Sequence, residues 1–241
     1  MKPSDVQKNN QRLSNNPYRA VLTGDIVNSS KLNIENRKKL QISFSILSNL
    51  LQKTFPEDIL YPLTNFRGDS WQAIVSNPIN SLKVSLFIRS FFRFQFPREK
   101  IDSRIAIGIG IISFIPTENL SAGDGPAYLT SGHLLDSLTN DRLAIGFSEK
   151  VEEPSYPALK GLILLLDQFI CTWSASQSQA IFWSLQNLRQ KEVAEKWIPQ
   201  LISQAAVSKN LRSANWESIK QSMFYFEKSI MNILIQNENG G

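Results

Sequence analysis

Phe66-Arg67-Gly68-Asp69-Ser70-Trp71-Gln72 decides how the first half of this chain folds. A Gly-Asp pair between two runs of β-favouring residues is a hairpin signal, and the flanking runs at about 59–66 and 71–76 supply the strands. Upstream, Leu40, Phe44, Leu47, Leu50 and Leu51 recur at three- and four-residue spacing, which predicts a helix over 34–54 closed by Pro56. Before it, the apolar run at about 18–24 predicts a strand ending at Asp25. Downstream, Val84, Phe87, Ile88 and Phe91 place a helix over 80–96, followed by a strand over 103–112. A glycine-rich loop, Ala122-Gly123-Asp124-Gly125, leads into a helix at about 126–138 with Pro126 at its first position, and a strand at 142–147 closes the pattern. The order β-α-β-β-α-β, then α-β, predicts an α+β domain of the split βαβ, ferredoxin-like kind with an extension.

Beyond residue 150 the character changes. Pro154 and Pro157 mark a boundary, and helices are expected at 159–172, 176–188, 190–197, 203–213 and 216–235. Strands in one half and helices in the other suggest two domains, 18–150 and an all-α 151–241. Residues 1–17 are polar, asparagine-rich and without periodicity, so a disordered tail is expected there.

Composition narrows the chemistry. Of 241 residues, 42% are hydrophobic and 20% charged, which is ordinary for a folded protein. The net charge of +5 suits an anionic partner without demanding one. A single cysteine, Cys171, cannot form an internal disulfide, and no leader-like run opens the chain, so the expected compartment is a reducing cytoplasm. No apolar run is long enough to span a membrane. With one histidine and one cysteine, a structural zinc site of the usual four nitrogen and sulfur ligands is excluded.

Two Gly-Asp pairs stand out. In a βαβ crossover the first two strands run parallel and the third inserts between them. The turn carrying Asp69 is thereby expected beside Asp25, across more than forty residues of sequence. Two carboxylates there suit a hard cation such as Mg²⁺ with phosphate as its further partner. The competing reading is that Asp after Gly simply builds turns. Gly123 and Gly125 precede a helix start whose free N–H groups suit phosphate, although the stretch is no Walker motif and also reads as a plain loop-to-helix turn.

These residues carry a resemblance. Tyr18-Arg-Ala-Val-Leu-Thr-Gly-Asp-Ile-Val-Asn-Ser-Ser30, the hairpin 66–72, and Asp124-Gly-Pro-Ala-Tyr128 with Ser131-Gly132 resemble the SatD-like family. More distantly, with Arg104-Ile-Ala-Ile-Gly108, the stretch 18–147 is similar to the class III nucleotidyl cyclase domain. That resemblance implies Asp25 and Asp69 as metal ligands and a nucleotide near Asn65, Gly68, Gly123 and Gly125. It places the purine-selecting lysine at Asn65, and the transition-state asparagine and arginine near Leu129 and His133. Leucine cannot orient a ribose, and neutral histidine is a poor substitute for a guanidinium at a phosphate. The implied state is a nucleotide or anion sensor, or an inert scaffold, rather than an active cyclase.

The second half has its own pattern. Gln190-Lys-Glu-Val-Ala-Glu195 and Ile202-Ser-Gln-Ala-Ala-Val-Ser208 with Leu211 resemble a helix-turn-helix of the sigma-like and simple repressor type, spanning about 190–212. Ser203 is expected to cap the second helix, while Ala206, Val207 and Leu211 face inward. Gln190, Ser203, Gln204, Ala205 and Ser208 are then placed toward base edges, and Lys209 and Arg212 toward phosphates of double-stranded DNA. Two departures are visible: about three extra residues around Ile198-Pro-Gln-Leu201, and no glycine in the turn.

Three readings are open at this point. One is a DNA-binding transcriptional regulator, as a homodimer if its operator is palindromic, with a cyclase-like sensor or dimerisation domain. Another is a divergent metal-dependent nucleotidyl cyclase or nucleotidyltransferase using Asp25, Asp69 and Mg²⁺. The third is a protein-interaction scaffold whose helices only pack.

Overall fold

The computed structural model describes residues 17–116, 119–149, 151 and 155–239. The tail expected over 1–17 lies outside them apart from Pro17, as does Pro154. Five strands form one mixed sheet: β1 Arg19–Val27, β2 Thr64–Phe66, β3 Ser70–Val75, β4 Asp102–Gly110 and β5 Leu143–Phe147, in the spatial order β2-β3-β1-β4-β5. All neighbours run antiparallel except β4 and β5, which are parallel. Between the strands lie α1 (Ile34–Thr54), α2 (Ser81–Gln95) and α3 (Pro126–Ser137). After β5 the chain is helical: α4 Ser155–Thr172, α5 Ala175–Ser184, α6 Gln190–Glu195, α7 Gln204–Ser213 and α8 Trp216–Asn239.

Local chemistry explains most ends. The Asn33 side chain accepts from Asn36 N at 2.8 Å and starts α1, and Pro56 follows its last turn. Ser174 and Gln177 form a reciprocal capping box on α5. Two expected strands change. The run at 59–66 keeps only Thr64–Phe66 as strand, because Pro62 has no N–H for a ladder; Ile59 and Leu63 are nevertheless buried. β1 does not stop at Asp25 but pairs with β4 as far as Val27, so Asp25 lies inside a strand.

The sheet's two faces are covered unequally. Ala20, Leu22, Trp71, Ala73, Ile105 and Ile107 alternate onto the main core. The opposite face packs Val21 and Ile74 against Ala127 and Tyr128 of α3 in a smaller cluster. Thr23, Gln72 and Ser131 hydrogen-bond one another there in a buried polar row.

The main core crosses the boundary expected near 151. It runs continuously from Tyr18 through α2 to Leu234 in α8. The joint is α2, which is apolar nearly all round because it lies between the sheet and α5. On α5, Phe182 stacks against Phe87 at 4.4 Å between centroids and touches Phe91 and Phe94.

Within that apolar body sits a closed ionic network. Arg89 of α2 is fully buried; its Nε and one Nη reach the Asp102 carboxylate at 3.0 and 2.8 Å, and its other Nη reaches Asp167 of α4 at 2.5 Å. Arg93 and Arg142 also donate to Asp102, each at 2.8 Å, and the Arg142 backbone N–H donates to Asp167 at 2.6 Å. Burial alone pushes the Asp102 carboxyl up, but the charge and hydrogen bonds of Arg89, with Arg93 and Arg142, outweigh it and hold the group far below the usual carboxylate range. A carboxyl depressed in the folded state stabilises at pH values above its unfolded pKa of about 4, and that contribution is lost as pH falls below it. The urea midpoint is therefore expected to hold from neutral pH to about 5 and to fall steeply below 4. In Asp102→Asn the midpoint is lower throughout and less steep in acid. An unchanged slope there assigns the acid loss to other carboxylates.

Candidate functional site

Two surfaces gather the residues singled out by sequence. The first is the sheet face opposite the main core. Asp25 in β1 has Ser70 of β3 as register partner on one side and Arg104 of β4 on the other. Asp69 immediately precedes Ser70, so the strand order does bring the two Gly-Asp pairs to one place. Their carboxylates, however, are already engaged. Arg104 Nε donates to one Asp25 oxygen at 2.9 Å and an Nη to the other, while Arg104 Nη1 holds Leu138 O at 2.7 Å. Ser29 Oγ donates to Asp69 at 2.5 Å. The Arg104 guanidinium is raised, first by its hydrogen bonds to Asp25, against some burial, with the charges of Asp25, Asp136 and Asp69 adding.

A divalent cation at Asp25 would have to displace a bidentate guanidinium. No cluster of three or more His, Cys, Asp or Glu suited to a metal exists among the described residues. In this arrangement both Asp25 oxygens serve Arg104 and one Asp69 oxygen serves Ser29.

The hairpin bends through two left-handed residues, Arg67 at φ 51° and Gly68 at φ 87°. Asn65 serves this turn: its amide donates to Ser70 O at 3.0 Å and Gly68 O at 3.4 Å. Gln41 of α1 donates to Gly68 O at 2.5 Å and fixes the hairpin against the helix. Between them lies a cleft of about 470 Å³ lined by Ser29, Ser30, Arg37, Lys38, Arg67 and Asp69 among others. Arg37, Lys38 and Gln41 carry no motif, and only the docking of hairpin on helix brings them into play.

Gly123 and Gly125 have packing roles. A Cβ on Gly123 would sit 2.2 Å from the Tyr128 ring, and Gly125, at φ +134°, would meet Ser113 N at 2.6 Å. Neither lines the cleft. Leu129 and His133 on α3 are exposed.

The second surface is α7. Ser203 caps it, accepting from Ala206 N at 3.2 Å. Val207 and Leu211 are buried, and Ser203, Gln204, Ala205, Lys209 and Arg212 are exposed. Gln190 and Ser208 are half-buried and line, with Arg212 and Trp216, a cleft of about 300 Å³ where α6, α7 and α8 meet. The first of the two helices stops at Glu195, leaving a long connection to Ser203. Trp197 anchors that connection in the core, while Ile198 and Leu201 are exposed. The buried Gln179 amide of α5, oriented to satisfy both partners, donates to Ile198 O at 3.1 Å and accepts from Ile198 N at 2.8 Å. Sequence reasoning had no signal for that hold, since a glutamine in a helix is usually exposed.

No helix among the described residues is long and apolar enough to cross a membrane. The molecule is thus an α+β protein whose five-stranded sheet and helical second half share one core. Its chain matches the model of the SatD family over residues 18–227 and belongs to that family. The match takes in the helical half through the first half of α8, well past the stretch 18–147 that carried the resemblance in sequence. No curated protein matches the chain.

Proposed function

We propose that this protein is a DNA-binding regulator that reads duplex DNA with α7. The observation that carries the reading is the division of that helix: Val207 and Leu211 are held in the core while Ser203, Gln204, Ala205, Lys209 and Arg212 all face solvent. Small polar groups at the N-terminal end of an exposed helix suit base edges, and cations further along suit phosphates. The α6–α7 pair is the helix-turn-helix of this reading, with a turn lengthened to place Trp197 in the core. Exposed Glu192 and Glu195 on α6 keep the local field mild, so contacts rather than bulk charge fix the docking.

The α/β part is then a sensor or dimerisation platform. The order β2-β3-β1-β4 with antiparallel neighbours supports a ferredoxin-like, cyclase-like ancestry. The basic cleft between α1 and the hairpin suits a nucleotide or other phosphate ligand. The clamp of Arg104 on Asp25 weighs against a metal-dependent cyclase or nucleotidyltransferase.

The test is a paired substitution, Lys209→Ala/Arg212→Ala, read by fluorescence anisotropy on a labelled duplex. Both side chains are exposed, so folding is expected to be unchanged. Losing two phosphate contacts is expected to weaken binding about ten-fold or more at 50 mM salt and to reduce the steepness of its salt dependence by about 2. Binding unchanged in the double variant moves the interface off α7.

A further inference from the structure

On the side of the β1–α1 loop away from the hairpin, the α/β part and the helices enclose another cleft, of about 510 Å³. Its lining includes Asn28, Arg93, Lys100, Arg142, Cys171 and Trp173, so it draws on both halves of the chain. We propose that this junction cleft is a binding site for a small phosphate-bearing anion that clamps the helical half onto the α/β half.

The charge distribution behind the cleft carries the argument. Three guanidiniums, Arg89, Arg93 and Arg142, converge on Asp102, and among the described residues one further carboxylate, Asp167, joins the network. The network therefore keeps a surplus positive charge inside the protein. Desolvated charge left without a counter-charge is costly, and an anion relieves that cost. The surplus faces the cleft rather than the core. Arg89 is wholly buried, whereas the Arg93 and Arg142 side chains are 13% and 28% exposed and line the opening.

Lys100 adds a second positive charge at the rim. It is exposed and makes no ion pair among the described residues. Its backbone is held in the left-handed region at φ 51°, uncommon for a residue with a side chain.

Donors are also left over. Arg93 gives its two Nη groups to Asp102, Cys171 O and Trp173 O, but its Nε is buried without a partner. Guanidinium forks match the oxygen geometry of phosphate, and an ammonium adds a point charge. Of the remaining walls, Pro97, Ile101 and Ala175 beside Trp173 are apolar and suit the organic body of a phosphoester, and Ser174 adds one polar residue.

The consequence concerns the whole molecule. Arg93 bonds the end of α4, Arg142 opens β5, and Asn28 belongs to the loop whose next residue, Ser29, holds Asp69. An anion here ties these elements to one another and stiffens the seat of the helical half. This site is independent of the DNA reading and of the α1–hairpin cleft.

The experiment uses the full chain, with thermal unfolding and the rate at which iodoacetamide modifies Cys171, a half-buried free thiol in the cleft. Inorganic phosphate and glycerol phosphate are each compared with KCl at matched ionic strength. At about ten times the dissociation constant, the anion is expected to raise the midpoint by about 2–6 °C and to slow Cys171 modification about ten-fold. Lys100→Glu removes the protection of Cys171 and reduces the midpoint response, while Lys53→Glu, an exposed lysine near the end of α1 that lines neither cleft, leaves both as in the native chain. A stronger response to glycerol phosphate assigns the site to an ester, and an equal one assigns it to free phosphate. The proposal is overturned if KCl reproduces the effects, if native Cys171 is not protected, or if Lys100→Glu responds as the native chain does.

Discussion

Arg89→Leu is expected to lower stability by about 3–5 kcal/mol, because it leaves two carboxylates in the core without their shared guanidinium. Asp102 and Asp167 are both 0% exposed and bind Arg89 from different halves of the chain. Asp102 retains Arg93 and Arg142, each partly exposed, but Asp167 retains only the Arg142 backbone N–H and a long contact to Cys171. Leucine matches neither the length nor the donors of the side chain it replaces. A protein of this size has about 5–15 kcal/mol in total, so the variant is expected to be largely unfolded at modest urea concentrations. The check is urea unfolding followed by tryptophan fluorescence and by far-ultraviolet circular dichroism. Both signals should shift together, since Trp71 belongs to the sheet and Trp173 to the helical half, within one core. Companion Asp167→Asn removes the buried charge left unpaired by Arg89→Leu and is expected to return part of the loss in the double variant. A double variant no better than Arg89→Leu alone would falsify the electrostatic account.

Phe182→Ala is expected to cost about 3–5 kcal/mol as well, through lost burial and the cavity that remains. The ring is 1% exposed and contacts Phe87, Phe91, Phe94 and Trp183, so three of its four aromatic neighbours come from α2. α2 is rigidly backed by the sheet and cannot collapse into the space. Phe182→Leu, which fills most of the volume, is expected to recover more than half of the loss. Thermal unfolding that remains a single transition in Phe182→Ala agrees with one continuous core. Two separate transitions would show that the helical half folds on its own and that the aromatic joint is incidental.

Much of the layout is legible in the sequence because it rests on local patterns. The spacing of Leu40, Phe44, Leu47 and Leu51 places α1 with its observed ends, and Ser203 announces the start of α7. The hairpin at 66–72 is read from Gly68, which supplies the backbone conformation that the turn needs. The errors arise where tertiary packing overrides pattern. The run at 59–66 is apolar enough for a strand but is buried mostly as irregular chain around Pro62. β1 continues past Asp25 because β4 offers partners as far as Asp102.

At the site, Gly24-Asp25 and Gly68-Asp69 do converge, since strand order is a topological consequence of the element order. The role of Arg104 is hidden, although the residue sits in a recognised strand. Only the register of β1 against β4 shows that it faces Asp25. The same holds for Arg89. A cation within an apolar helical stripe is a signal in itself, but its partners lie 13 and 78 residues away, and nothing local names them.

The central claim is that α7 grips duplex DNA, and non-specific affinity tests it without knowledge of an operator. Binding at low salt is dominated by phosphates and needs no particular sequence. The most direct measurement is anisotropy of a labelled random-sequence duplex titrated with the native chain at 50 mM salt, then at rising salt. The account predicts saturable binding whose log affinity falls with log salt at a slope of about −2 or steeper. No binding at low salt, with the protein folded, would contradict it.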